Sequence, residues 1–130
     1  MIWLLAACLP TETVYEVTIT GVVEAAGEGE VYGQVLLTES GSGVLSVSMA
    51  RVSEFALDGP GEFTLDALVP DQGVGLAVYA WQDTDGDGLL CALDGDEELT
   101  GVDYADFPAT SASVSIVLDA PCLGPERYSP

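Results

Sequence analysis

The chain has 130 residues, 48% of them hydrophobic, and its two basic residues face 22 acidic ones, which gives a formal net charge of −20 at pH 7. This length supports one domain with a real hydrophobic core and leaves little room for a second. The charge argues against nucleic acid as a partner, because a surface of this sign repels phosphate groups. The chain has no His and no Lys, so an enzyme would lack the most common general base near neutral pH.

Residues 1–8 form an apolar run that ends at Cys8 and is followed by polar sequence. The segment Leu5-Ala6-Ala7-Cys8 resembles the lipobox of bacterial lipoproteins, in which the Cys is acylated and becomes the first residue of the mature chain. This resemblance implies a signal segment over residues 1–8 and an extracytoplasmic protein, attached by lipid to the outer membrane or cell envelope and not spanning it. The alternative is an apolar first strand in which Cys8 is buried.

Residues 9–120 mostly alternate apolar and polar side chains with a period of two, the pattern of a strand with one buried and one solvated face. Turn signals such as Asp58-Gly59-Pro60-Gly61 separate these stretches. One stretch, Val74 to Gln82, is apolar on both faces and predicts a central strand covered on two sides. The predicted strands are residues 15–20, 31–38, 45–49, 55–57, 62–67, 74–82 and 111–116.

About seven short strands, and no helical periodicity longer than a turn or two, predict an all-β fold with a single antiparallel β-sandwich. The pattern resembles the immunoglobulin-like and transthyretin-like (prealbumin-like) sandwiches of bacterial surface and periplasmic proteins. We expect the sandwich domain over residues 9–120 and an irregular tail over residues 121–130.

The acidic loop, residues 83–98, is the most informative segment. Three Asp residues stand at alternate positions and a Gly stands at the sixth, which directs carboxylates to one side of a sharp turn. Calcium takes six to eight oxygen ligands, so we expect a Ca²⁺ site here. The alternative is a loop that is only solvated. The expected ligands are the carboxylates of Asp83, Asp85 and Asp87, the carbonyl of Leu89 and the carboxylate of Asp94, with Asp96, Glu97 or Glu98 as replacements for Asp94 in closing the site.

The same loop resembles those of EF-hand and dockerin proteins, and still more the extracellular Excalibur pattern D-x-D-x-D-G-x-x-C-E. Gly88 and Cys91 match that pattern together with the three Asp residues, whereas Ala92 stands where the pattern has Glu. The flanks differ from a helix-loop-helix, since a predicted strand enters at Gln82 and glycines follow the loop. We therefore expect the loop to join strands.

Three cysteines are present. If Cys8 carries lipid, Cys91 and Cys122 remain as a pair in an oxidising compartment, and we expect a disulfide between them. Such a bond would tie the acidic loop to the C-terminal tail and contribute about 3 to 4 kcal/mol in the chain-entropy model. Two free thiols are the alternative.

These observations predict a binding or structural module and no enzyme, since the Ser-rich turns have no His partner. We expect a calcium-stabilised lipoprotein displayed at the cell envelope, with the membrane as its anchor and a protein or glycan partner that the sequence does not name. The alternative is a carbohydrate- or peptide-binding domain that uses Tyr79, Trp81 or Tyr104, although core packing is expected for Tyr79 and Trp81. A carboxylate-dependent hydrolase is the remaining alternative.

Overall fold

The computed structural model describes residues 13–40, 47–70, 75–91 and 98–125. These ranges contain no α-helix, and within them no helix is long and apolar enough to cross a membrane. The segment Leu5 to Cys8, predicted to be a lipobox, lies outside the described residues. The strands are β1 (Val14–Glu24), β2 (Glu30–Ser40), β3 (Val47–Leu57), β4 (Gly61–Pro70), β5 (Gly75–Asp83), β6 (Leu99–Asp106), β7 (Ser111–Val117) and β8 (Ala120–Pro121).

The strands form two packed sheets, in the orders β4-β1-β7 and β3-β2-β5-β6-β8. The predicted all-β sandwich is confirmed. Neighbours in the five-stranded sheet are all antiparallel, as expected. The pairing of β1 with β7 is parallel and corrects the expectation of a purely antiparallel sandwich. It arises because the chain crosses from β6 in one sheet to β7 in the other, so β7 reaches β1 without a hairpin.

Two strand predictions need correction. Residues 45–49 and 55–57 were expected to be separate strands, but Val47 to Leu57 is continuous. The β2–β3 register shifts between Val35 and Leu36, and the extra residue on β3 interrupts the alternation that the prediction followed. Strand β6 was not predicted, because Gly101 and three acidic or exposed positions break its apolar alternation.

The core lies between the sheets, and β5 is its central strand. Leu76, Val78 and Ala80 are almost fully buried on the inner face of β5, while Ala77 and Tyr79 are buried on its outer face. The prediction of a strand covered on two sides is therefore confirmed. The outer face is covered in part by the segment after β8, because the Tyr79 hydroxyl donates a 2.6 Å hydrogen bond to the carbonyl of Leu123.

Candidate metal centre

The acidic loop connects the adjacent strands β5 and β6. Asp83 is the last residue of β5, and Glu98 directly precedes β6. Because the two strands are antiparallel neighbours, the last residue of β5 and the first residues of β6 lie side by side at the same end of the sheet. Both side chains are buried, with exposed fractions of 5% for Asp83 and 0% for Glu98. Two carboxyl groups that are fifteen positions apart in the sequence therefore lie close together where the loop joins the sheet.

The start of the loop wraps around the Asp83 carboxylate. Its Oδ1 accepts a 3.0 Å hydrogen bond from the N–H of Gly86, and its Oδ2 accepts a 2.9 Å bond from the N–H of Gly88. Both glycines have positive φ, 76° and 72°, a backbone conformation that other residues rarely adopt. The sharp turn predicted at Gly88 is confirmed, and Gly86 contributes a second one.

The next two Asp residues cap the backbone of the same turn. Asp85 Oδ1 accepts a 3.2 Å hydrogen bond from the N–H of Asp87, and Asp87 Oδ1 accepts a 2.8 Å bond from the N–H of Leu89. Each bond reaches two residues ahead, the geometry of an Asx turn. Both side chains are exposed, so their carboxylates are accessible to an ion from solvent.

Four carboxylates meet at this point. One oxygen from each of Asp83, Asp85, Asp87 and Glu98 lies within 4.8 Å of the others, and this group could hold a metal ion. Three members stand at alternate positions as the sequence predicted. The fourth, Glu98, was named as one replacement for Asp94 and is the one that the described structure brings to the cluster.

Glu98 bridges both ends of the described part of the loop. Its Oε2 accepts a 2.9 Å hydrogen bond from the N–H of Thr84, and its Oε1 accepts a 2.8 Å bond from the N–H of Cys91. A buried carboxylate needs such donors, because burial without a partner is costly. The four-membered cluster therefore has a fixed inner half, Asp83 and Glu98, and an exposed outer half.

The pKa values of the two inner carboxyl groups, Glu98 and Asp83, are shifted in opposite directions. Burial raises the pKa of Glu98, and the nearby carboxylates of Asp83 and Asp85 raise it further, against the effect of its two backbone N–H donors. Burial also acts to raise the pKa of Asp83, but the N–H of Gly88 and the other hydrogen bonds to this carboxylate lower it overall. Repulsion between close carboxylates favours either a proton on Glu98 or a cation in the cluster.

The predicted disulfide is confirmed, since Cys91 and Cys122 are bonded with their Cα atoms 5.6 Å apart. The bond joins the acidic loop to the segment after β8. The N–H of Cys122 also donates a 3.0 Å hydrogen bond to the carbonyl of Glu98. The disulfide thus lies directly beside the inner half of the cluster.

The remaining predicted ligands are the carbonyl of Leu89 and the carboxylates of three residues that the structure does not describe. Leu89 follows the third Asp and has a side chain that is 61% exposed, and its carbonyl remains a predicted ligand. Asp94, Asp96 and Glu97 lie outside the described residues.

Strand β2 contributes residues to the site that the sequence pattern did not indicate. An open depression of about 560 Å³ runs along the acidic loop and is also lined by Gly29, Glu30 and Tyr32. Glu30 is the register partner of Asp83, which places it beside the loop, and it accepts a 2.6 Å hydrogen bond from the Tyr32 hydroxyl. No local motif marks these residues, because only the β2–β5 pairing brings them to the loop.

The three aromatic candidates occupy different environments. Tyr79 is 2% exposed, so its predicted core packing is confirmed. Trp81 is half-buried, packs against the outer-face cluster and lies 5.1 Å from the ring of Tyr32 at an interplanar angle of 32°. Tyr104 is 50% exposed and pairs with Ala77, several residues along the sheet from the acidic loop.

Comparison with protein-family models, with curated proteins and with solved structures gave no significant match.

Proposed function

We propose that this chain is a calcium-stabilised β-sandwich that serves as a binding or structural module of the cell envelope. The observation that carries the proposal is the convergence of four carboxylates, from Asp83, Asp85, Asp87 and Glu98, within 4.8 Å. The ion's role in this proposal is structural: it neutralises the cluster and fixes the acidic loop between β5 and β6.

The chemistry of the donors favours calcium over other common ions. The ligands are hard carboxylate oxygens, which suit calcium and magnesium better than zinc. Zinc prefers His and Cys, but the chain has no His, and Cys91 and Cys122 are bonded to each other. Magnesium requires near-ideal octahedral geometry and keeps several waters, whereas calcium accepts the larger and less regular set that a loop of this kind offers.

An extracytoplasmic location supports a site of modest affinity. Extracellular calcium modules commonly work at Kd values of roughly 0.1 to 1 mM, because the ion is always abundant around them. The lipobox-like segment ending at Cys8 supports attachment by lipid, and the Cys91–Cys122 disulfide is the kind of bond that persists in oxidising compartments. The proposal therefore places the sandwich outside the cytoplasm, with the membrane as its anchor.

Isothermal titration with CaCl₂ tests the metal site. The full chain carrying Cys8→Ser avoids both acylation and a stray thiol, and we expect one ion per chain at a Kd of roughly 0.1 to 1 mM. Asp85→Asn removes one charged ligand and is expected to weaken binding at least tenfold. Asp106→Asn is the matched control, since Asp106 is exposed at the far end of β6 and should leave the isotherm unchanged. Absence of calcium binding by the parent chain would refute the proposal.

Fatty-acid labelling tests the anchor separately. When the full chain is expressed in a bacterium fed an alkyne-bearing fatty acid, label is expected on the parent chain and not on Cys8→Ser. Label on both chains or on neither would contradict acylation of Cys8, whatever the result for calcium.

A second candidate function is carbohydrate binding beside the calcium loop. A depression of about 200 Å³ is lined by Tyr32, Trp81 and Gly88, and it shares Tyr32 and Gly88 with the acidic depression. Aromatic rings next to carboxylates suit the apolar face and the hydroxyl groups of a sugar. Glycan-array binding that is lost in Trp81→Ala and kept in Tyr104→Ala would support this candidate, and an array without signal in the presence of calcium would exclude it.

A further inference from the structure

We infer that the Cys91–Cys122 disulfide positions Glu98 for the ion, so that the calcium affinity of the acidic loop depends on the redox state of this bond. The inference rests on the proposed function, because it concerns the same ion and the same carboxylates. Its structural basis is that Glu98 is contacted by both half-cystines, although it lies outside the Asp-rich turn.

Three hydrogen bonds connect Glu98 with the disulfide. The N–H of Cys91 donates to Glu98 Oε1 at 2.8 Å, and the N–H of Cys122 donates to the carbonyl of Glu98 at 3.0 Å. The N–H of Glu98 in turn points at Cys91 Sγ at 3.3 Å. The bonded pair therefore contacts both the backbone and the carboxylate of Glu98, and the N–H of Thr84 is the second donor to that carboxylate.

In this inference, the covalent link holds both half-cystines in their backbone conformation. Cys91 has φ of 50° and Cys122 has φ of 58°, in the left-handed region that residues other than glycine avoid. A dithiol reductant would supply two electrons and two protons to the disulfide, leaving two thiols and becoming a disulfide itself. Each Cys could then relax to negative φ, which turns its N–H away from Glu98.

We expect reduction of the disulfide to weaken calcium binding. Without the Cys91 donor, the Glu98 carboxylate is held by the N–H of Thr84 and is no longer fixed toward Asp83. A ligand that must be ordered during binding lowers the affinity compared with one that is already in place. Couplings between two linked sites are typically about 5- to 150-fold, so we expect the calcium Kd to rise at least about fivefold on reduction.

Calcium titration of the oxidised and the reduced chain tests this inference. With Cys8→Ser as background, only Cys91 and Cys122 remain of the three cysteines, and dithiothreitol under anaerobic conditions reduces them. The Kd is expected to be at least about fivefold higher in the reduced chain. In Glu98→Gln, reduction is expected to change the Kd less than about twofold, because no carboxylate remains to be positioned. A general loosening of the fold would instead weaken both chains equally.

A second experiment measures the same coupling as the effect of calcium on the reduction of the disulfide. Binding linkage is reciprocal, so saturating calcium should make the bond harder to reduce by the same factor by which reduction weakens calcium binding. Equilibrium with a dithiothreitol redox couple, in EDTA and in calcium that saturates both forms of the chain, gives this factor, and a tenfold effect corresponds to about 30 mV for the two-electron couple.

Three outcomes would overturn the inference. The first is an oxidised chain that binds calcium with a Kd unchanged by reduction, and the second is an equal loss of affinity in the parent and in Glu98→Gln. The third is loss of the β-sheet circular dichroism signal on reduction, since the bond would then hold the whole fold and not Glu98 in particular. Failure of the oxidised chain to bind calcium at all is distinguishable from these, because it contradicts the proposed function first.

Discussion

Replacing Glu98 by Gln tests how much the carboxylate of Glu98 contributes to calcium binding. The substitution keeps the size of the side chain and removes its charge, so the calcium ion loses one anionic ligand. If the parent Kd lies between roughly 0.1 and 1 mM, 10 mM calcium stabilises the folded parent by about 1.4 to 2.7 kcal/mol through preferential binding. A tenfold weaker site reduces this gain to about 0.4 to 1.4 kcal/mol.

Urea unfolding followed by far-UV circular dichroism measures how much calcium stabilises the parent and the Glu98→Gln chain. Each chain is unfolded in EDTA and in 10 mM calcium at equal ionic strength. The quantity to compare is the calcium-induced change in the free energy of unfolding, because effects of the substitution on the metal-free chain cancel in it. Glu16→Gln is the matched control: Glu16 is exposed on β1 in the other sheet, so this variant should keep the full gain. A Glu98→Gln chain with the parent's calcium-induced stabilisation would refute the assignment of Glu98 as a ligand.

Three further predictions follow from individual contacts. Gly88→Ala forces a side chain onto a residue with φ of 72° and is expected to destabilise the folded chain by about 1 to 2 kcal/mol in urea, so an unchanged midpoint would contradict the strained turn. Tyr79→Phe removes the hydrogen bond to the Leu123 carbonyl and is expected to cost about 0.5 to 1.5 kcal/mol, while equal stability would show that this bond does not hold the tail segment. In metal-free buffer, the raised pKa of Glu98 means that the folded state holds the proton more tightly than the unfolded one, so stability should fall as pH rises from about 4.5. The lowered pKa of Asp83 acts in the opposite sense, because stability is lost as pH falls below about 3.8. A Glu98→Gln chain whose stability still fell as steeply above pH 4.5 would contradict the effect assigned to Glu98.

The parts of the fold that depend on local pattern could be predicted from the sequence. Alternation identified most strands, and the doubly apolar stretch from Val74 to Gln82 marked β5 as the central strand. Strand β6 was missed because Gly101 and the acidic or exposed residues that follow it break the apolar alternation. The parallel contact between β1 and β7 could not be predicted, since it depends on how the chain crosses between the sheets and leaves no local signal.

In the candidate site, too, local spacing predicted some residues, while strand pairing brings in others that it did not predict. The alternate positions of Asp83, Asp85 and Asp87 and the turn at Gly88 follow from local chain geometry, so spacing alone identified them. The position of Glu98 in the cluster depends on the β5–β6 pairing and on its N–H donors, which the spacing of a loop does not encode. Glu30 was missed for the same reason, because it reaches the depression through the pairing of β2 with β5.

The most direct test of the calcium site is a crystal structure of the chain grown in 10 mM calcium, with anomalous scattering used to locate the ion. We expect one calcium peak with oxygens of Asp83, Asp85, Asp87 and Glu98 at about 2.3 to 2.6 Å. A peak that excludes Glu98, or the same loop conformation with no peak between the four carboxylates, would contradict the proposed calcium site.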